Sequence, residues 1–455
     1  MTTVTLSVTT TSRPVLGNGG GGGGAIPPSN TVAPVISGSS DIGSVLSTTD
    51  GTWSGTIPIT YTYQWKRNGV SILGATASTY TLVVADYNLP ITCEVTATNI
   101  AGSASATSNA ITCTGVAPVN TVAPVISGTP TVGQTLSSTT GTWTGNPTPT
   151  YTYQWKRGAS DISGATSSTY TLVQADATFV VTCVVTATNV VGSANATSNS
   201  VTVFDADAQA FITAATITDN TQKNAVNQLT VDLKGYGIWT KMKAIYPFVG
   251  GTATTHKWNL KNPLDTDAAF RLVFFGGMTH SSNGILFAGV NGYADTKLNM
   301  STNYAANDNT HISFYSRTST ALSASFEMGV FNGTSIIGVT LRRSDFSFST
   351  YYAVNAGAYL SYTDSNAAAF YISNRLGTTM NGWRNSTKTA TTTSTALARP
   401  SLNMYIGGQN NAGALNQATT RQVAFASIGD GLTDTEAANF YTAVQAFQTT
   451  LGRQV

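Results

Sequence analysis

Residues 30–112 align with residues 120–202 at a constant offset of 90, without a gap, and 52 of the 83 positions are identical. Two adjacent copies this alike must be two copies of one small folding unit. The segment "NTVAPVISG" opens both (Asn30–Gly38, Asn120–Gly128), and "GTW" follows (Gly51–Trp53, Gly141–Trp143). Then come "YTYQWKR" (Tyr61–Arg67, Tyr151–Arg157), "STYTL" (Ser78–Leu82, Ser168–Leu172) and "VTATN" (Val95–Asn99, Val185–Asn189). Tyr61, Tyr63 and Trp65 alternate with Thr62 and Gln64, and Cys93, Val95 and Ala97 alternate with Glu94 and Thr96. A period of two places the apolar set on one face of a strand. Gly and Asn clusters separate these runs, so each unit is expected to be a β-sandwich of short strands.

The run "YQWKR", a later Ala-Asp, "TCEVTATN" and a following Gly resemble strands C, F and G of an immunoglobulin-like domain, with the corner before strand F. The wording is closer to the Ig-like modules of bacterial and phage surface proteins than to antibodies. The resemblance implies that Trp65 and Trp155 are core tryptophans and that Cys93 and Cys183 are strand-F cysteines. It also shows departures. Leu46 and Leu136 stand where the family has the partner cysteine, and Ile91 and Val181 stand where it has a corner tyrosine. No inter-sheet disulfide and no tyrosine corner are therefore expected. A Leu–Cys–Trp cluster would fill the space, since reduced Cys packs as a small hydrophobe. Trp53 and Trp143 are expected to pack at a sandwich edge, with exposed sugar stacking as the other reading.

Charged residues make up 9% of the 455 positions and the net charge is +2, against roughly 25% charged in ordinary domains. That balance gives no reason to expect nucleic acid or an anionic membrane as partner. No run approaches the roughly 20 apolar residues of a membrane helix. No secretion signal is legible at the start, so synthesis in a cytoplasm is expected. Three cysteines, Cys93, Cys113 and Cys183, do not suit a disulfide framework. Val4, Leu6 and Val8 alternate with Thr and Ser, and Gly19–Gly24 followed by Pro27 and Pro28 is a tether. Residues 1–16 are expected to anchor the chain by adding a strand to another protein; a frayed tail is the alternative.

From about Asp205 the pattern changes. Asp219 can cap a helix running to about Leu233, with Ala225, Val226, Leu229 and Leu233 on one face. Strands are expected at Phe270–Phe275, His311–Ser316, Ala324–Phe331, Ser335–Leu341, Ala369–Ser373, Leu402–Gly408 and Arg421–Gly429. Asn332-Gly333 signals a hairpin. Thr433 and Glu436 form a capping box for a last helix. "LNMYIGG", "VAFASIG" and "GLTDTEAANFY" resemble the closing elements of the concanavalin A-like (laminin G-like) jelly-roll superfamily, and Lys241–Pro263 is similar to a recurrent piece of phage structural proteins. The resemblance implies an all-β fold: two tandem Ig-like β-sandwiches, then a larger jelly-roll β-sandwich with peripheral helices. The expected boundaries are 1–28 (anchor and linker), 29–115, 116–204 and 205–455.

The jelly-roll superfamily includes glucanases; hydrolysis of the retaining kind needs two carboxylates, which the resemblance would put as glutamates on one strand, two aspartates meeting in space being the alternative. This chain has three glutamates, Glu94, Glu327 and Glu436. Glu327 stands alone in "SFEMGV", so no catalytic residue and no cofactor are assigned. His256, His280 and His311 are not at metal-ligand spacing and read as surface or strand histidines. Asp265 and Asp267 are a weak Ca²⁺ candidate, with a plain turn as the alternative. For a carbohydrate the leading candidates are Trp383, Asn381, Arg384 and Asn385 in "MNGWRNST", with Trp258 and Tyr293 behind them; the other reading has Trp383 covering the core. The expected function is a non-enzymatic virion structural protein, a capsid or tail fibre or decoration. It would be assembled in the host cytoplasm and held to other virion proteins by its N-terminal segment. It would sit at the virion surface as a homo-oligomer, a trimer among the options, with a host-surface glycan as candidate ligand. A bacterial surface adhesin is the second reading and a glycan-degrading enzyme the third.

Overall fold

The computed structural model describes residues 24–455 apart from 323–324, 342–346, 355–358 and 364–365. The anchor residues Val4, Leu6 and Val8 lie outside the described residues. The described residues form two compact units: those up to 124 with 140–152 and 185–197, and those of 125–139 with 153–184 and from 198 onward.

The fold is all-β with a few peripheral helices. In the first repeat one sheet runs Ile111–Thr112, Pro90–Asn99, Thr60–Arg67, Val70–Ser71, with Gly102–Thr107 also on Pro90–Asn99; the facing sheet runs Ile36–Ser37, Val45–Thr48, Thr79–Thr81. That is an immunoglobulin-like strand order. Trp65 and Cys93 are direct cross-strand partners, and both are fully buried with Leu46. The Trp65 indole N–H, which could not be left dry without a partner, donates to the Ala77 carbonyl at 2.9 Å. The second repeat buries Leu136, Trp155 and Cys183 in the same way, with Trp155 donating to the Ser167 carbonyl at 2.9 Å. Cys93, Cys113 and Cys183 are all free and buried, and burial pushes each thiol pKa up.

The Ala-Asp corner does the work of the missing corner tyrosine. Asp86 is fully buried. It accepts from the Val83 amide at 2.8 Å, the Tyr80 hydroxyl at 2.9 Å and Arg67 Nε at 2.6 Å. Asp176, Val173, Tyr170 and Arg157 repeat the set. Trp53 and Trp143 are half-buried. Each indole donates to a local carbonyl, Asp50 and Thr140 respectively, at 2.7 Å, and leans on Tyr61 or Tyr151.

Neither junction after a repeat is a free linker. Three residues, 113–115, separate strand Ile111–Thr112 from strand Val116–Val122. The Asn146 amide crosses this junction to the Ile42 carbonyl at 3.0 Å. A Cβ on Gly115 would lie 2.7 Å from both the Asn146 carbonyl oxygen and a Val191 methyl, so only glycine fits. After Val201–Thr202 the chain enters a helix, Ala206–Ala214, capped by Asp205. The buried Asn227 amide donates to the Val203 carbonyl at 3.0 Å and its oxygen accepts the Asp205 N–H at 2.7 Å. This helix was not expected from the sequence; its nine residues carry too little amphipathic contrast to stand out.

The C-terminal part is layered. An eight-stranded sheet contains, in order, Met278–Ser281, Gly284–Phe287, Gln422–Gly429, Asn309–Ser316, Ala369–Leu376, Thr379–Arg384 and Thr387–Thr393, with Met242–Tyr246 on Gln422–Gly429. A nine-stranded sheet faces it, led by Val273–Phe275, Tyr293–Asn299, Asn403–Ile406, Met328–Phe331 and Ile336–Thr340. Phe314, Tyr371 and Ile428 join Met328, Val339 and Ile406 in the core between the sheets. On the other side Tyr315, Phe370 and Phe425 pack under the helices Asn220–Gly235 and Asp434–Thr450. A sheet covered on both faces loses the polar alternation of a half-exposed one.

Two strand expectations need correcting. Phe270–Phe275 is strand only from Val273, because Phe270 takes a left-handed conformation (φ 58°) after a short turn at Asp267–Ala269. Of Ala324–Phe331, Ala324 lies outside the described residues, residues 325–327 are not strand, and the strand begins at Met328.

Candidate functional site

The structure removes the Trp383 group as an exposed sugar platform. "MNGWRNST" is not a loop: Thr379–Arg384 is a strand, and the turn is confined to Asn385 and Ser386, with Asn385 at φ 54°. Trp383 is 2% exposed and belongs to the core under the helices. The Lys388 ammonium lies 5.8 Å from its ring centroid. Asn381 is buried and accepts from Thr391 Oγ1 at 2.8 Å. The Arg384 guanidinium donates to the Asn366 carbonyl at 3.1 Å, and the Asn385 oxygen accepts the Phe370 N–H at 3.0 Å. Asn381 ties the hairpin to itself, while Trp383, Arg384 and Asn385 tie it to the core and to the segment 366–370. Only Asn385 of these marks the turn; Asn381 and Gly382 lie on the strand before it.

Asp265 and Asp267 do come close, but to cations of the chain. Lys257 and Arg271 bond Asp265 at 2.7 and 3.3 Å, and Arg271 reaches Asp267 at 3.2 Å. The Lys257 hydrogen bond is the main reason that the Asp265 pKa lies below the usual carboxylate value. These carboxylates form a surface ion-pair network and not an oxygen cage for Ca²⁺.

The three glutamates are all paired. Glu94 meets Lys66 at 3.1 Å, and Glu436 meets Lys241 at 2.6 Å while closing its capping box. Glu327 and Arg421 form an ion pair whose side chains are both fully buried. Glu327 also accepts the Leu341 N–H at 2.8 Å and the Thr419 hydroxyl at 3.3 Å. Burial pushes its carboxyl pKa up, against the pull of Arg421. A carboxylate so enclosed has no route to a glycosidic bond.

Two of the histidines form a pair invisible to spacing. His256 is 2% exposed, and its Nδ1 lies 3.0 Å from His280 Nδ1. The Gly251 N–H donates to His256 Nε2 at 3.2 Å, which assigns the His256 proton to Nδ1, donating to His280. Burial, then the His280 and Arg453 charges, lower the His256 pKa to about 3. His311 is fully buried; its Nδ1 meets the Asp430 carbonyl at 2.6 Å, and burial lowers its pKa to about 4. The reading of these three as surface or strand residues fits His311 and His280, which lie on strands. It misses the buried contact that His256 makes.

Aromatic surface does occur, on the outer face of the nine-stranded sheet. Phe275 and Tyr293 are direct partners across neighbouring strands, with ring centroids 4.9 Å apart and planes at 14°. Tyr293 stacks in turn on Tyr405, 4.4 Å away at 28°. Asp295 is the cross-strand partner of Tyr405. It is held by the Lys297 amide at 2.8 Å, the Lys297 ammonium at 3.1 Å and the Asn403 amide at 3.3 Å. Burial first, then the neighbouring Tyr293 and Asp295, raises the Tyr405 phenol pKa far above its usual value. Tyr293 stood as a secondary candidate from the sequence; Phe275 and Tyr405 did not stand out, because cross-strand stacking leaves no local signature. Trp258, the other secondary candidate, is half-buried, donates to the Thr254 carbonyl at 2.9 Å and carries Lys257 over its ring at 4.8 Å.

No family model matches this chain, and no curated protein does. Similar solved structures are partial matches. Immunoglobulin domains 1–5 of Sidekick-1 align at 22% identity and TM-score 0.22, covering 40% of each chain. The NanB sialidase from Streptococcus pneumoniae aligns at 11% identity and TM-score 0.25, over 31% of this chain and 25% of that one. Domain 4 of AbnA, an extracellular arabinanase from Geobacillus stearothermophilus, in complex with arabinotriose, aligns at 9% identity and TM-score 0.31, over 44% of this chain and 98% of that one. The chain thus spans two-fifths of the first of these and a quarter of the second.

Proposed function

We propose that this chain is a non-enzymatic virion structural protein of a phage, displaying its C-terminal sandwich at the particle surface on a spacer of Ig-like modules. The observation that carries this reading is the pair of closed junctions. A spacer needs junctions that are short and hydrogen-bonded. Here the Asn146 amide bonds across one boundary and the Asn227 amide across the other. Residues 1–16 attach the chain to capsid or tail in this reading, and copies of the chain associate as a homo-oligomer. A host-surface glycan is the ligand class for the head. The pairing of all three glutamates supports a role in contact and not in hydrolysis. Mass spectrometry of purified particles tests the proposal: the chain should be a recurrent component, and deletion of residues 1–16 should abolish its incorporation. Its absence from particles, or its recovery from a bacterial surface fraction, would overturn the virion reading. Release of reducing ends from host polysaccharide would overturn the non-enzymatic one.

A further inference from the structure

We propose that the ring stack Phe275–Tyr293–Tyr405 is a pyranose-binding site, with Phe275 presenting the face on which the sugar lies. The proposal rests on the head being the contact surface and names the site and ligand class within it. Three strands supply the rings, and the strand carrying Phe275 is the outermost of its sheet among the described residues. One ring face of Phe275 is covered by Tyr293; among the described residues no neighbouring strand covers the other, and the residue is 40% exposed. The inner end of the stack is fixed. Tyr405 is 6% exposed, and its hydroxyl donates to the Gly413 carbonyl at 3.4 Å. The platform is therefore set before any ligand arrives, which limits the ordering cost of binding.

The chemistry of the border selects the ligand. An aromatic face carries negative charge density, and the axial C–H groups on one side of a pyranose carry the complementary positive charge. Hydroxyl groups around the sugar then need donors and acceptors at the rim. Toward the inner end of the stack Lys297, whose side chain is 23% exposed, pairs with Asp295, the cross-strand partner of Tyr405, and keeps further N–H donors. Beyond Phe275 the turn carries exposed Asn291, whose oxygen accepts the Gly277 N–H at 3.1 Å. A Cβ on Gly276 would lie 2.0 Å from the Asn291 carbonyl oxygen, so glycine is what lets Asn291 close in beside the platform. A small flat apolar face with the Asn291 amide beside it suits one sugar ring better than a protein partner, which needs a broad desolvated patch.

The test uses the full chain and three probes: the methyl β-pyranosides of glucose, galactose and N-acetylglucosamine. Saturation-transfer NMR with irradiation of the protein's aromatic protons should deliver signal to the axial C–H protons of at least one probe. Phe275→Leu, which keeps the apolar volume and removes the ring face, should weaken that binding about tenfold or more. Trp258→Phe should leave it unchanged. No transfer to any probe, or equal binding by the Phe275→Leu protein with an unaltered melting temperature, overturns the site. Sugar contact by a chain missing from particles would overturn the virion reading alone. Particle incorporation without sugar contact would overturn this site alone.

Discussion

The first Ig-like module and the C-terminal sandwich each hold a carboxylate–guanidinium pair in their interior, but under different conditions. Asp86 is fully buried while Arg67 keeps 28% of its side chain exposed. Glu327 and Arg421 are both fully buried. In the module, the cation can return to water if its partner is removed. In the head it cannot, and desolvated charges left alone cost several kcal/mol. The module's pair latches a corner; the head's pair is a condition of packing the segment before Met328 against the strand Gln422–Gly429.

The sharpest way to break this comparison is Glu327→Ala. It strands Arg421 in the interior and should cost about 3–5 kcal/mol, measured by urea denaturation of the full chain. A loss under about 1 kcal/mol would mean that Arg421 finds water, and the contrast would vanish.

Acid should separate the two regions next. The modules contain no histidine, since all three lie at or beyond residue 256. In the head, His256 and His311 have folded pKa values lowered to about 3 and about 4, against about 6.5 unfolded. The unfolded chain therefore takes up protons that the folded head refuses. Stability is complete above pH 6.5 and falls as pH drops toward 4 and then 3. Between pH 7.5 and 5.5 the two histidines together should cost about 2–3 kcal/mol. Thermal melts at the two pH values read the loss, to which His280, also lowered by burial, adds, and His311→Gln should remove about 1 kcal/mol of it. An unchanged pH dependence in that variant defeats the assignment.

Asp86→Ala should cost about 1–3 kcal/mol, because Val83 loses an acceptor while Arg67 and Tyr80 regain water. If it matched Glu327→Ala, exposure of the cation would not be what distinguishes the pairs. The smallest effect expected is that of reductant. With three free buried thiols, dithiothreitol should move the melting midpoint by less than about 1 °C. A larger shift would reveal a disulfide.

The modules were far more legible in the sequence than the head. Trp65, Cys93 and Leu46 could be placed in one cluster because each sits on a strand with visible alternation. The helices Asn220–Gly235 and Asp434–Thr450 were legible through Asp219, Thr433 and Glu436, since a cap is a local signal. The candidate site was not legible in this way. Trp383 sits among Gly and Asn, and nothing local distinguishes a two-residue turn from a loop. The strand carrying it is roofed by a helix that begins 51 residues later, at Asp434.

Backbone periodicity, capping and near-identical repetition are short-range properties, so the sequence alone settled the all-β class, the Ig-like pair and the two capped helices. Which side chains meet across the head was left to the tertiary structure. Arg421 finds Glu327 across 94 positions and His256 finds His280 across 24. Burial on both faces of a central sheet erases the alternation that would have announced those meetings.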